Sequence, residues 1–377
     1  MRLYDVPAKG VESLSLLSLS FFLQLFFYFF CTPLNMILLP LFSVLRVSSA
    51  CDFYLSLLGS DLSSGDAPQR AFATLSRAHE AATTAATSGC TLVTVHIGAG
   101  TWFGPWVFPP SPPAPIVYRG ATEGSPTIIS GGLELTDFLD SGGLWIARVP
   151  AHMNATQLFV GSERRPCARS PNVVGNSAFA GDAFSAASTH AWAAPLCPNC
   201  SSSDPVNARG LVFDAGDGID PSWDFSFAEA NIFVSPWSNC VARVGSVTPN
   251  NRTLLFRESC GSYGLKSFPS YETGRRWFLE NVRGALDAPG EWFLNATMAT
   301  LEYLPLPGET LLGFTVTLAV RPSLLVVSQG GLTFEDLTVV FSAGDPSGNR
   351  NGFSQTGAVE VAASGVTLQR ITVAHAS

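Results

Sequence analysis

Two segments near the end of the chain share one pattern of apolar and polar positions. Glycine, apolar, Thr, apolar, two polar residues, apolar, Thr and Val recur at matching offsets in 330–341 and 364–375, 34 residues apart. A unit this short cannot bury its own apolar face, so such units stack on one another. The pattern predicts coils of a β-solenoid, with His375 stacked on Phe341. Glu335 and Asp336 align with Gln369 and Arg370, which predicts turn or outward positions for them.

Earlier segments carry short apolar runs separated by glycine turns, which predicts strands at 53–58, 92–97, 115–118 and 127–129. An amphipathic helix is predicted from Arg70 to Thr87, opened by Pro68, and it is placed to cap the first coil. The pattern then breaks. We therefore divide the chain into a leader (1–50), a cap with first coils (51–149), an inserted β-rich region (150–310) and resumed coils that the sequence truncates (311–377).

The leader is almost uncharged from residue 13 to residue 45, which is longer than the apolar region of a usual signal peptide. Pro33 and Pro40 divide it. Two interpretations stay open. The segment is either a signal anchor held in the membrane or a signal peptide cleaved after Ala50, where small residues precede Cys51. Either interpretation places the protein in the secretory pathway, outside the cell or anchored to its membrane.

Composition narrows the list of partners. Charged residues make up 13% of the chain, the net charge is −8, and no run of Lys or Arg occurs, so nucleic acid is not an expected partner. Plentiful turn formers, 34 Gly and 26 Pro, favour an all-β protein. Four Asn-x-Ser/Thr sequons agree with secretion and give candidate glycosylation sites at Asn154, Asn199, Asn251 and Asn295.

Cysteines give one specific pairing. Residues 239–247 and 252–260 predict a hairpin, and folding it about Asn250 sets Cys240 opposite Cys260, within reach of a disulfide. Cys197 and Cys200 have no second Cys or His pair at zinc spacing, so a loop disulfide or free thiols are favoured over a metal site.

Candidate chemistry is sparse. A glycosidase needs two placed carboxylates, and a lyase needs a base together with calcium or arginine. Asp214–Asp220 lacks the spacing of a calcium loop and is interpreted as a turn. No cofactor or metal is expected, with calcium relevant only for a lyase. For the acidic residues of the coils, solvated coil edges are favoured over catalytic positions: Glu335, Asp336 and Glu360. For the tryptophans, core or rim packing is favoured over stacking on sugars: Trp102, Trp106, Trp223 and Trp237.

Several segments carry a resemblance to a known family. Residues 53–61, 71–75, 93–102, 115–120 and 126–132 resemble the N-terminal coils of right-handed parallel β-helix proteins of the pectin-lyase-like superfamily. Arg276–Asn281 with Ala285–Leu294, followed by Leu301–Pro305, is similar to a segment of carbohydrate-active, glycoside hydrolase-like members. In that segment, Glu280, Asn281, Glu291 and Trp292 fit a packing signature as well as a site.

The resemblance covers residues 52–377 and implies a right-handed parallel β-helix that acts on or binds polysaccharide. It implies acid and base groups on later coils, so no catalytic position is assigned. The favoured hypothesis is an N-terminal portion of a secreted or membrane-tethered, glycosidase-like protein. The alternatives are a non-catalytic polysaccharide-binding or cell-surface β-helix and an inactive incomplete product.

Overall fold

A computed structural model describes residues 50–153, 155–172, 185–186, 210–235, 238–248, 252–257, 276–343 and 357–376. Contacts divide the chain into the units Met1–Val47 and Ser48–Ser377, and every described residue belongs to the second. This part is mostly β-strand with one α-helix, which agrees with the all-β prediction. None of the described helices has the length and apolar character to cross a membrane. Apart from Ala50, which begins the first strand, the predicted leader lies outside the described residues.

The strands fall into three groups along the chain. The first group is β1 (Ala50–Leu55), β2 (Leu92–Ile97), β3 (Gly100–Phe103), β4 (Trp106–Phe108), β5 (Ile116–Arg119) and β6 (Thr127–Ser130). The second is β7 (Gly132–Leu135), β8 (Leu139–Asp140), β9 (Trp145–Arg148), β10 (Gln157–Val160), β11 (Glu163–Arg165), β12 (Arg169–Ser170), β13 (Ser185–Ala186), β14 (Gly210–Val212), β15 (Glu229–Ser235), β16 (Ser238–Thr248), β17 (Thr253–Phe256), β18 (Arg276–Glu280), β19 (Trp292–Asn295), β20 (Thr300–Tyr303) and β21 (Val316–Ala319). The third is β22 (Leu325–Val327), β23 (Leu332–Glu335), β24 (Leu337–Val340), β25 (Val359–Val361), β26 (Thr367–Gln369) and β27 (Thr372–Ala374).

The first and third groups form three parallel sheets. Sheet A has the order β1-β2-β5-β23-β26, sheet B has β27-β24-β6-β3, and sheet C has β25-β22-β4. β1 and β2 both belong to sheet A. From β2 onward, successive strands enter A, B, C, A and B in turn, and after the second group the rotation resumes at C. Because parallel neighbours need a crossover connection, this rotation lets each short strand pair with one from the next repeat.

The register between the last two repeats equals the sequence period. Thr333 pairs with Thr367 in sheet A, and Thr338 pairs with Thr372 in sheet B, each 34 residues on. Left-handed backbone recurs at the same spacing: Gly331 and Gly365 have φ of 78° and 69°, and Phe341 and His375 have 59° and 52°. A side chain at Gly331 would also lie 3.0 Å from the carbonyl oxygen of Ala114. The pattern shared by residues 330–341 and 364–375 thus corresponds to a structural repeat.

Aromatic side chains fill the space behind sheet A. The Tyr118 and Phe334 rings stack 5.3 Å apart at 16°, and Phe108 meets both at 4.9 and 5.0 Å. All three are fully buried. Stacked and edge-to-face pairs stabilise beyond the area they bury. Every second residue of these strands therefore points inward, and the residues between them form the outer face of sheet A.

The one α-helix among the described residues, α1 (Leu75–Thr87), begins five residues later than the sequence predicted. Pro68 opens a short 3-10 turn instead, and Phe72 then bonds to Tyr54 and Ser56 at the edge of β1. The Thr74 hydroxyl caps the helix by accepting from the Arg77 N–H at 3.3 Å. This cap fixes the start because it satisfies a donor that the first turn leaves open. The helix buries Ala78 and Ala82 in the core that holds the aromatic cluster.

The second group of strands, 132–319, forms three antiparallel sheets. Their orders are β11-β10-β21-β7, β19-β20-β9-β8 and β12-β18-β15-β16-β17-β14, with β13 on β18. The predicted hairpin is confirmed, since β16 and β17 pair with Thr248 opposite Thr253, and a register shift lies between Val244 and Ser246. The domain boundaries at residues 150 and 310 stay a prediction.

Candidate functional site

The outer face of sheet A carries a continuous row of polar and aromatic side chains, which we call the outer row. Each member is the register partner of the next across the sheet, and neighbouring strands lie about 4.8 Å apart. The members, in spatial order, are Tyr54, His96, Arg119, Glu335 and Gln369. A surface with one side chain at every strand spacing matches an extended chain-like ligand better than a compact one.

Fixed charges dominate one end of the outer row. The Arg119 Nε lies 2.8 Å from Glu335 Oε2, and Arg370 Nη2 lies 3.6 Å from the same oxygen. Arg370 also donates to both oxygens of Asp336, at 2.5 and 2.8 Å. This bond lowers the pKa of Asp336 and raises that of Arg370. Glu335 is only 13% exposed, so the two arginines hold a half-buried carboxylate in place.

A histidine with an oriented ring lies at the other end. The His96 Nε2 is 2.7 Å from Asp52 Oδ1, and its ring stacks on Tyr54 at 5.0 Å and 18°. In neutral histidine this bond requires the proton on Nε2, which leaves Nδ1 as an acceptor. The outer row therefore offers donors from Arg119 and acceptors from the carboxylates, with the His96 ring held in place beside Tyr54. Sugar hydroxyl groups both donate and accept, so they can bond along such a row.

The acidic residues singled out on the coils, Glu335, Asp336 and Glu360, all have hydrogen-bond or ion-pair partners. Asp336 lies in a turn with φ of 57°, as predicted, and Glu335 points outward. The prediction that both are solvated edges is wrong, because Arg119 and Arg370 hold them. The Ser323 hydroxyl donates to Glu360.

The predicted stacking of the histidine at the end of the repeat is confirmed. The His375 and Phe341 rings lie 5.0 Å apart at 12°. Phe159 meets the two rings at 5.3 and 5.0 Å. His375 is therefore part of an aromatic cluster between repeats.

The family-like segment has packing roles in the structure. Glu280 accepts from the Asn231 amide at 2.7 Å, and Asn281 donates to the Phe227 carbonyl at 3.0 Å. Glu291 is 2% exposed; its Oε2 accepts from the Asp287 and Ala288 N–H groups at 3.2 and 3.1 Å. Its Oε1 has no hydrogen-bond partner among the described residues.

Burial controls the protonation of this segment. Desolvation raises the pKa of the Glu291 carboxyl to about 7, against the weaker opposing effect of nearby backbone N–H groups, chiefly those of Ala288 and Asp287. Burial likewise raises the pKa of the Cys167 thiol, whose sulfur lies 3.6 Å from Asn281 Oδ1. A buried thiol with a raised pKa is unreactive, because the thiolate is the nucleophile.

Among the remaining predicted positions, some are confirmed by the structure and others lie outside the described residues. Trp102 and Trp106 are buried core residues, 7% and 4% exposed, as predicted, and Trp223 packs on a second core. Asp214–Asp217 is a turn closed by the Asp217 carboxylate on the Asp214 N–H at 2.7 Å. Trp237 and the Cys197–Cys200 loop lie outside the described residues. Across the described ranges, no cluster of three or more His, Cys, Asp or Glu side chains is arranged to hold a metal ion.

The glycosylation and disulfide candidates are tested only in part. Asn295 ends β19 half-buried, with its Oδ1 accepting from the Met298 N–H at 2.8 Å. The described residues exclude Asn154, Asn199 and Asn251, and they also exclude the predicted Cys240–Cys260 pair, since Cys260 and the Cys240 side chain fall outside them.

The structure shows a disulfide that the sequence analysis did not specify. Cys51 in β1 is bonded to Cys90, which follows α1. The bond ties the start of sheet A to the loop that leads into β2. The odd cysteine count beyond the leader gave no means of choosing this pair.

Sequence reasoning missed the outer row as a unit. Arg119 and Glu335 are 216 residues apart, and no local pattern links them. The available signal was the apolar alternation of each strand, which marks outward positions but not strand neighbours.

Comparison with known proteins gives fold-level similarity. No family model and no curated protein matches the chain. A solved structure described as a glycoside hydrolase is similar, with TM-score 0.58 and 19% identity, over 78% of this chain and 51% of that one. A second, described as the complex structure of XylC with xylose, has TM-score 0.34 and 12% identity, over 82% of this chain and 38% of that one. The chain thus spans about half the length of the first structure and shares its fold over that part.

Proposed function

We propose that this chain is a right-handed parallel β-helix protein of the secretory pathway that binds polysaccharide along the outer row and is glycosidase-like. The observation that carries the proposal is the rotation of strands through three parallel sheets at a 34-residue register. Right-handedness follows the rule for nearly all parallel crossovers. Likeness to a glycoside hydrolase structure supports the same fold.

The site supports a polysaccharide as ligand. Five side chains at strand spacing include hydrogen-bond donors and acceptors, and the Tyr54 ring adds an apolar surface. Arg119 is 42% exposed and Arg370 is 52% exposed, so both reach solvent while bonded to carboxylates.

A second candidate function is non-catalytic binding of polysaccharide. Glycoside hydrolysis uses two carboxyl groups that flank the scissile bond, one of them able to give a proton. The carboxylates Glu335, Asp336 and Glu360 of residues 311–377 are instead held by Arg119, Arg370 and Ser323. An arginine partner favours the charged form of a carboxylate, which opposes the role of proton donor.

The test is a binding and hydrolysis assay with the full chain expressed in a eukaryotic secretory host. We expect retention by at least one member of a panel of neutral and acidic polysaccharides in affinity electrophoresis. Arg119→Ala should weaken that binding roughly tenfold, the scale of a lost charge-assisted hydrogen bond. Arg70→Ala is the matched control, because Arg70 is also exposed and paired, with Asp66.

The two candidate functions are distinguished by whether the polysaccharide is hydrolysed. Release of new reducing ends by the wild-type chain indicates a glycosidase, whereas binding without release indicates a binding protein. No retention by any polysaccharide, or equal binding by the Arg119 and Arg70 variants, would reject the outer row as the site.

A further inference from the structure

A groove of about 660 Å³ lies away from the outer row, among the antiparallel sheets. One wall comes from the strands β7–β9 and their connections, and the other from the loop between β20 and β21. We call it the Leu312 groove, and its lining is Thr136, Phe138, Asp140, Trp145, Glu309, Thr310, Leu311 and Leu312. Its volume falls within the usual range for small-ligand sites.

The base of the groove is rigid. Trp145 is 4% exposed, and its ring meets Phe138 at 6.2 Å and Tyr303 at 5.7 Å. The Tyr303 hydroxyl donates to Glu309 at 2.5 Å, and Arg165 Nη2 lies 2.7 Å from the same carboxylate. This ion pair is buried, with side chains 13% and 6% exposed, so it anchors the loop.

The anchored loop holds apolar side chains in water. Leu312 is fully exposed, and Leu311 is 38% exposed. Leucines on a tethered loop beside a concave surface differ from scattered surface leucines, because they border a cavity that a ligand could fill. Phe138 is half-buried on the facing wall.

The polar lining selects the charge of the ligand. Asp140 and Glu309 are carboxylates, Thr136 and Thr310 carry hydroxyl groups, and Lys, Arg and His are absent from the lining. Asp140 accepts from the Gly143 N–H at 2.7 Å through one oxygen. Because Glu309 is paired with Arg165, Asp140 is the lining carboxylate left to accept hydrogen bonds from hydroxyl groups, and its charge disfavours an anionic ligand. Arg119 of the outer row and the neighbouring Arg370 are, in contrast, positively charged and tolerate an anionic ligand.

We propose that the Leu312 groove binds one or two neutral sugar rings of a glycan, with apolar ring faces against Phe138 and Leu312 and hydroxyl groups bonded to Asp140. The proposal rests on the proposed carbohydrate function but names a different site. A basic, apolar peptide has some of the same complementarity. The sugar is favoured because the groove is concave and of small-ligand size.

The probe is cellotetraose, with tri-galacturonate as an anionic counterpart, measured by isothermal titration calorimetry on the full secreted chain. We expect cellotetraose to bind, and Leu312→Ala and Asp140→Asn each to weaken binding about fivefold. Leu62→Ala and Asp137→Asn are matched controls, since Leu62 is fully exposed and Asp137 is an exposed neighbour outside the groove lining. The controls should bind within about twofold of wild type.

The outcomes separate the two proposals. Cellotetraose binding that is unchanged in the Leu312 and Asp140 variants overturns the groove but leaves the carbohydrate function. If tri-galacturonate binds, cellotetraose does not, and the binding is lost in the Arg119 variant, the groove proposal is overturned but the carbohydrate function remains. Binding of neither probe overturns the groove, while the polysaccharide panel judges the carbohydrate function separately. If a leucine–lysine peptide binds more tightly than cellotetraose and Leu312→Ala abolishes the peptide binding, the ligand of the groove is a protein partner and not a sugar.

Discussion

Replacing the buried Glu291 with glutamine should change how the stability of the fold depends on pH. Burial raises the pKa of this carboxyl from 4.5 to about 7. The folded state therefore holds a proton that the unfolded chain releases between these two pH values. Stability falls as pH rises through this window, because the folded state binds more protons there.

The magnitude follows from the size of the shift. Each pKa unit corresponds to 1.36 kcal/mol, so raising the pKa of Glu291 from 4.5 to about 7 gives a loss of up to about 3 kcal/mol of unfolding free energy between pH 4.5 and pH 7. Glutamine keeps the oxygen that accepts from Asp287 and Ala288, and it carries no charge at any of these pH values. The unfolding free energy of Glu291→Gln minus that of wild type should therefore be larger at pH 8 than at pH 4.5.

The assay is urea unfolding followed by tryptophan fluorescence at pH 4.5, 6, 7 and 8, with the exposed Glu123→Gln as control. The stability difference between Glu291→Gln and wild type should move in favour of the variant by about 3 kcal/mol across this range. The Glu123 difference should stay flat. A constant Glu291 difference across the range would refute the reasoning, since it would mean that the buried carboxyl titrates like a solvated one.

Three further predictions test other parts of the chain. Replacing both Cys51 and Cys90 with serine should cost about 4 kcal/mol of unfolding free energy, from the entropy of a loop whose ends are 39 residues apart; an unchanged urea midpoint contradicts this. After secretion from eukaryotic cells, Asn295→Gln should lower the mass by one N-glycan, and an identical mass would show that the turn is not modified. Leu368, 43% exposed on β26, should promote self-association, so Leu368→Lys should shift sedimentation toward monomer; equal profiles would exclude this edge as the contact.

Local pattern predicted the repeat well because each strand in it obeys a local rule. The period of 34 residues in the sequence is also the register between β23 and β26, since parallel stacking places equivalent residues side by side. The predicted start of α1 was wrong because the helix signal competed with strand pairing. Pro68 is a common first helical residue, but Phe72 is needed by β1, and tertiary pairing outweighed the helix signal.

The outer row could not be predicted by the same means, because its members are neighbours only through the topology. The antiparallel strands are inserted between β6 of sheet B and β22 of sheet C. Sheet A is therefore not interrupted, and β23 pairs directly with β5. An insertion in sheet A would have separated Arg119 from Glu335. The position of the insertion thus keeps the outer row continuous, and the proposed binding of an extended polymer depends on that continuity, while the inserted sheets supply the separate Leu312 groove.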